Sequence, residues 1–168
     1  MRSASLRSPW QNGAMPEQHI RVEAATSRDA DGVIALATRF FVEEDFPLPS
    51  GGLRQRVERY LEMDGHAVFV VRGGRGDPIA FATAAAGFGL EYGWAAELED
   101  LYVVPEERQR GIARALVDRI ATWARERGCS ALLVTVTPAG ERSHTLTAFY
   151  EGLGFESEGR LLLERRLS

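Results

Sequence analysis

Apolar and polar positions alternate along "IRVEAAT" (20–26), which predicts a first strand. In "SRDADGVIALATRFF" (27–41) the period changes. Ser27 suits a helix cap, and Val33, Leu36, Ala37 and Phe40 fall on one helical face. "VEEDFPLPSGG" (42–52) is acidic and broken by proline and glycine, so it reads as a loop. "LRQRVERYLEM" (53–63) returns to helical spacing through Leu53, Val57, Tyr60 and Leu61. "HAVFVVRG" (66–73) is a β-branched run bounded by glycine, and "IAFATAAAGF" (79–88) follows a "GRGDP" turn, which predicts a hairpin. A further strand covers 95–104. A helix over 111–127 has Ile112, Leu116, Ile120 and Trp123 or Ala124 inward, and "ALLVTVT" (131–137) is a buried strand. A short helix over 144–154 ends at glycine, and "GRLLLERRL" (159–167) reads as a closing strand.

The resulting order is β-α-α-β-β-β-α-β-α-β. Its mixed connections imply an α/β fold with a mixed central sheet flanked by helices. The 168 residues suit one domain, and no interior linker or repeat divides them. The expected organisation is a disordered leader over 1–18 and a single domain over 19–168. The leader is rich in Arg and Ser and lacks the apolar segment of a secretory signal, and Met15 is a candidate start.

Charge and composition narrow the function. A net charge of -4 speaks against a broad nucleic-acid interface, which needs a basic face. No apolar run is long enough for a membrane helix, so the expectation is a cytoplasmic protein without a membrane partner. The lone cysteine, Cys129, excludes a disulfide framework and a cysteine-based zinc site, and suits a half-buried apolar position. His66 and His144 have no metal-ligand neighbours in the sequence, so no metal is expected. All 20 basic residues are arginine, which rules out a lysine nucleophile or a P-loop lysine.

"VVPEERQRGIARALVDRI" (103–120) places arginines and a glycine where a helix begins. A helix N-terminus has unpaired N–H groups and a partial positive charge, so added arginine makes sense opposite an anion. Gly111 would let a phosphate approach the backbone, and Arg108, Arg110 and Arg114 would supply charge. By itself the stretch suits either such a cradle or a solvated charged loop.

"RQRGIA" (108–113) resembles the Arg/Gln-x-x-Gly-x-Gly/Ala motif of the GCN5-related N-acetyltransferase (GNAT) superfamily, with Arg108, Gly111 and Ala113 at its defined positions. "LTAFYEGLGF" (146–155) resembles that family's C-terminal Tyr-x-x-x-Gly-Phe element, and the order of elements from about 20 to 167 is similar too. The resemblance implies the acyl-CoA N-acyltransferase fold and acetyl-CoA as co-substrate. It implies that the pyrophosphate lies on the N–H groups around Gln109, Arg110, Gly111, Ile112, Ala113 and Arg114. It also implies that the pantetheine arm runs beside Leu101, Tyr102 and Val103. The family often has asparagine seven residues before the tyrosine; this chain has Ser143, which can still hydrogen-bond.

Acetyl transfer to an amine needs a base, an oxyanion donor and a proton for the leaving thiolate. "ELEDLYV" (97–103) offers three carboxylates. Simple alternation separates Asp100 from Glu97 and Glu99, and a bulge would break that separation. "LED" is similar to the segment of small-amine acetyltransferases in which the glutamate is the base. The role therefore falls first on Glu99, then Asp100, then Glu97. The bland alternative for Glu99 is an exposed strand acid. Tyr150 matches the family tyrosine near the sulfur, the proton donor to the thiolate, although its spacing also suits a core residue.

Around the acceptor the resemblance points to "FVEEDFPLPSGG" and "GFGLEYGWAAE". There Glu43, Asp45, Glu91 and Tyr92, with Glu44, Phe46 and Trp94, mix acids with aromatics. That suits a small cationic amine such as a polyamine, an aminoglycoside or an amino-acid-like compound; a solvated acidic loop is the bland alternative. Acetylation of a protein lysine or N-terminus, or a non-catalytic acyl-CoA sensor, are the competing functions. The resemblance also admits a homodimer, which no segment specifies.

Overall fold

The structure, a computed structural model, describes residues 20–49, 52–157, 159, 160, 162, 163, 165 and 167. The 1–18 leader and Met15 lie outside the described residues. Among those described, a five-stranded sheet runs in chain order. Its strands are β1 (Val22–Ala24), β2 (His66–Arg72), β3 (Pro78–Gly89), β4 (Gly93–Val103) and β5 (Ala131–Val134). Neighbours among the first four are antiparallel, while β4 and β5 are parallel. The mixed sheet expected from the element order is therefore present.

Helices α1 (Ala30–Glu43) and α2 (Leu53–Glu62) cover one face. Val33, Leu36 and Ala37 of α1 and Val57 of α2 pack on Val68, Val70, Phe81 and Tyr102. Helix α3 (Ile112–Glu126) covers the other face, with Ile112, Leu116, Ile120, Trp123 and Ala124 turned toward Phe69, Ala80, Ala82 and Leu98. A row of alanines on β3 lets α3 sit close to the sheet. Two short helices, α4 (Pro138–His144) and α5 (Leu146–Glu151), follow β5.

The termini of several elements differ from the sequence reading. β5 ends at Val134 rather than at 137, because Thr137 caps α4 by accepting from the Gly140 N–H. The single helix expected over 144–154 is split at Thr145, which takes a left-handed conformation with φ of 50°. The closing strand over 159–167 is not found among the described residues of that stretch. Leu162, Leu163 and Leu167 are all exposed, so none of these described apolar side chains is laid on a sheet; residues 161, 164 and 166 lie outside the described set.

Candidate active site

The centre of the site is a register change between β3 and β4. Thr83 pairs with Asp100, but Ala84 pairs with Leu98, so Glu99 is the extra residue of a β-bulge. The bulge inverts the side-chain alternation along β4. Before it, Ala96 and Leu98 face α3; after it, Leu101 and Val103 do. Glu97, before the bulge, and Asp100 and Tyr102, after it, therefore share the face covered by α1 and α2. Glu99 turns to that face as well, where it accepts a hydrogen bond from Tyr60 Oη of α2 at 2.5 Å. All three carboxylates of "ELEDLYV" thus stand on one side of the sheet.

Each carboxylate has a hydroxyl partner. Thr83 Oγ1 donates to Asp100 Oδ2 at 2.7 Å, and Thr135 Oγ1 donates to Glu97 Oε1 at 3.2 Å. Burial pushes the Asp100 carboxyl up, against the Thr83 hydrogen bond and with the Glu99 charge adding to the rise. Burial also raises the Tyr60 phenol far above its usual range, reinforced by its bond to Glu99. A cleft of about 170 Å³ opens between α1, α2 and the sheet, with Asp100, Thr83 and Tyr60 among its lining and Ala37, Phe41 and Leu53 as apolar wall.

On its other edge β4 loses its neighbour. β5 pairs with Ala95, Ala96, Glu97 and Leu98 and goes no further, so residues 99–103 have no strand partner on that side among the described residues. Leu101, Tyr102 and Val103, assigned to the pantetheine arm, lie along this open edge. The Tyr102 side chain is buried against α1, so only its backbone is available there.

The edge leads into the loop before α3. Gln109 and Gly111 both take left-handed conformations, with φ of 62° and 81°. Gly111 is the N-cap residue, no side chain caps the helix, and the first helical bond runs from Ala115 N to Gly111 O. The N–H groups of Ile112, Ala113 and Arg114 consequently have no helical acceptor. Backbone N–H groups left without a helical acceptor in this way are able to receive an anion.

The arginines of this loop do other work. Arg108 pairs with Glu43 at 2.6 Å, donates from Nε to Val103 O at 2.9 Å and lies over the Tyr102 ring. Arg110 pairs with Glu107 at 2.7 Å, and Arg114 Nη2 donates to Gly152 O at 3.1 Å, tying α3 to the end of α5. The guanidinium groups therefore brace the loop, and the groups it leaves unpaired are its backbone N–H groups.

Tyr150 stands on α5 with its ring buried beside Phe149 and Phe155. Burial pushes its phenol up to about 12, so it keeps its proton throughout the neutral range. Ser143 is exposed on α4, and its hydroxyl makes no hydrogen bond among the described residues.

The acids expected around the acceptor are largely occupied. Glu43 holds Arg108, Glu44 lies 3.1 Å from His144, and Glu91 pairs with Arg160, which also stacks over Tyr92. Asp45 is exposed in a left-handed turn. Glu97, Glu99 and Asp100, by contrast, form no ion pair among the described residues. Among these same residues no cluster of three or more His, Cys, Asp or Glu side chains is arranged to hold a metal, and no helix is long and apolar enough to cross a membrane. Cys129 is half-buried.

Two residues of the site were not singled out by the sequence. Tyr60 reads there as a core position on α2, and Thr83 as an ordinary strand threonine. Their hydroxyl partners lie 39 and 17 residues away, which no local pattern reveals.

Residues 30–155 match the model of the acetyltransferase (GNAT) family. An aminoglycoside N(6')-acetyltransferase type 1 of Serratia marcescens is 31% identical over 117 residues, covering 67% of this chain and 78% of that protein. Among solved structures, an aminoglycoside N-acetyltransferase in complex with coenzyme A superposes with a TM-score of 0.74 at 23% identity, over 88% of this chain and 95% of that one. A ribosomal-protein-alanine N-acetyltransferase from Brucella melitensis reaches a TM-score of 0.72 at 22% identity, over 88% and 99%. These two share the fold, and the fold alone does not separate their acceptors. The protein is thus an acyltransferase by class. More narrowly, the chain belongs to the acetyltransferase (GNAT) family and is an acetyl-CoA-dependent N-acetyltransferase.

Proposed function

We propose that the acceptor is a primary amine of a small polycationic amino sugar of the aminoglycoside type, with Glu99 as base and Tyr150 as acid. The observation that carries this reading is the bulge at Glu99. It brings Glu99 and Asp100 to the face that already holds Glu97, beside the α1–α2 cleft, and none of the three is paired with a cation among the described residues. Uncompensated carboxylates attract a cationic amine and orient it. The relatives named for aminoglycoside acetylation agree with a small acceptor of this chemistry.

An alkyl ammonium must lose a proton before it attacks, at a cost of roughly 4–5 kcal/mol at neutral pH. Glu99 takes that proton, directly or through a water, and passes it to solvent; the second proton, which the nitrogen must shed as the amide forms, also leaves to solvent water, and solvent returns a proton to Tyr150 once it has protonated the thiolate. The amine nitrogen bonds to the thioester carbonyl, and the oxyanion lies against a backbone N–H on the unpaired edge of β4. The C–S bond then breaks and Tyr150 gives its proton to the departing thiolate. Leu101, Tyr102, Val103 and the loop from Arg108 to Arg114 hold the coenzyme in line with the bulge, with Ser143 reaching the arm from α4. Acetyl-CoA is a cytoplasmic metabolite, which supports a cytoplasmic site of action. The net charge of -4 supports a cationic small molecule over nucleic acid.

The test is thiol release from acetyl-CoA with a panel of kanamycin A, spermidine, free amino acids and a lysine peptide. Turnover confined to the aminoglycoside, and reduced in both Glu99→Gln and Tyr150→Phe, supports the reading. Turnover confined to the peptide overturns the acceptor assignment. Full activity of Glu99→Gln overturns the assignment of the base.

A further inference from the structure

We propose that Tyr60 is a positioning residue that fixes the Glu99 carboxylate for proton transfer, an inference that rests on Glu99 being the base. A glutamate on a bulge has no cross-strand neighbour to define its rotamer. Glu99 has none on β3, and β5 stops one residue before it. Its side chain is exposed, and its one hydrogen-bond partner among the described residues is Tyr60 Oη at 2.5 Å. A carboxylate on such a tether would otherwise wander among rotamers, and a base must lie within hydrogen-bond reach of its proton.

Tyr60 is suited to hold it. The residue sits on α2, and its ring meets the His66 ring edge-on with centroids 4.7 Å apart. His66 is itself tied to the backbone, its Nδ1 lying 3.1 Å from the Asp64 carbonyl oxygen. Burial and the Glu99 charge keep the phenol protonated well beyond neutral pH, so it remains a donor wherever the enzyme works. The other titratable and charged groups facing the pair are Asp100 on β4, which lines the same cleft, His66 on β2, whose ring meets Tyr60, and Arg56, which lines that cleft from α2; Glu97 is on the same face of β4.

The same helix also lines the cleft through Leu53, Arg56 and Val57. The wall that receives the acceptor and the hydroxyl that aims the base therefore belong to one element. A shift of α2 on acceptor binding would move both together.

The experiment is a double-mutant cycle of Tyr60→Phe and Glu99→Gln, using the fastest amine of the panel above. Y60F is expected to lower kcat by about tenfold or more, with KM for acetyl-CoA unchanged. In the E99Q background it is expected to cause no further loss, because Tyr60 acts through Glu99. An equal loss in both backgrounds, or no loss in either, overturns the role of Tyr60 while leaving the base assignment standing. Wild-type turnover in E99Q removes the base and this inference with it. Isotope-edited infrared difference spectra read the contact without any acceptor. The Glu99 carboxylate stretch, assigned by its disappearance in E99Q, is expected to shift in Y60F, and an unmoved band overturns the hydrogen bond itself.

Discussion

Thr83 and Asp100 face each other across β3 and β4 and are joined twice. The threonine hydroxyl donates to Asp100 Oδ2 at 2.7 Å and accepts from the Asp100 backbone N–H at 3.1 Å. The second bond lies where the register changes, so one buried hydroxyl fastens both the acid and the bulge that presents Glu99.

Thr83→Val keeps the shape of the side chain and removes the hydroxyl. It leaves Asp100 without its donor in a buried setting, which costs roughly 1–3 kcal/mol. Urea unfolding is expected to show an unfolding free energy lower by that amount, and so a lower midpoint. Turnover is expected to fall with it, because the bulge loses its anchor. An unchanged midpoint would show that the pair does not hold the register.

Asp100 makes stability depend on pH in a direction fixed by its raised carboxyl. An acid whose pKa is raised on folding binds more protons in the native state than in the unfolded one, so stability falls as pH rises between the two values. Wild type is therefore expected to lose stability from about pH 4 upward through the raised value, relative to Asp100→Asn, which carries no such charge. Urea midpoints of the two proteins across this range check the sign. Wild type gaining stability relative to Asp100→Asn as pH rises would contradict it.

Gly111 stands at φ of 81° where the cradle meets α3. An added methyl would meet only Ile20 Cδ1, at an ordinary 3.6 Å, so crowding is not the issue. The left-handed backbone is, at roughly 1–2 kcal/mol for a residue with a Cβ. Gly111→Ala is expected to lose about that much stability or to relax the loop, with acetyl-CoA affinity reduced about tenfold by calorimetry. Unchanged stability and unchanged affinity together would show that the cradle does not need this conformation.

The Tyr150 hydroxyl makes no hydrogen bond within the described residues, while its ring packs between Phe149 and Phe155. Tyr150→Phe is therefore expected to change stability by less than about 1 kcal/mol. The loss of a positioned acid is expected to lower kcat by about 10²-fold or more. With the phenol pushed up to about 12, wild type is expected to show no loss of the acid below about pH 11. A wild-type kcat in Y150F would return this tyrosine to a purely structural role.

Local sequence was enough to reveal most of the fold. Helical spacing at Ile112, Leu116 and Ile120 and the β-branched run from Val68 to Val71 are properties of short stretches, and the core uses those same residues. The Gly111 loop and Tyr150 could be singled out for a similar reason, since each lies in a short motif whose spacing is carried by one piece of chain, and both stay proposals as site residues. The split at Thr145 was not visible, because a single left-handed residue leaves no mark on apolar spacing.

The placement of the carboxylates was a different matter. The sequence showed that Glu97, Glu99 and Asp100 were present, and left open which face each one used. That depended on how β3 and β4 slid into register, a choice made between residues 17 apart and secured by the Thr83 hydroxyl. Tyr60 reached Glu99 only once α2 lay across the sheet. The acids at Glu43, Glu44 and Glu91 looked available in sequence and found Arg108, His144 and Arg160 in space. Periodicity is local and survives in the sequence, whereas register and charge pairing are properties of two distant segments and exist only after the chain has folded.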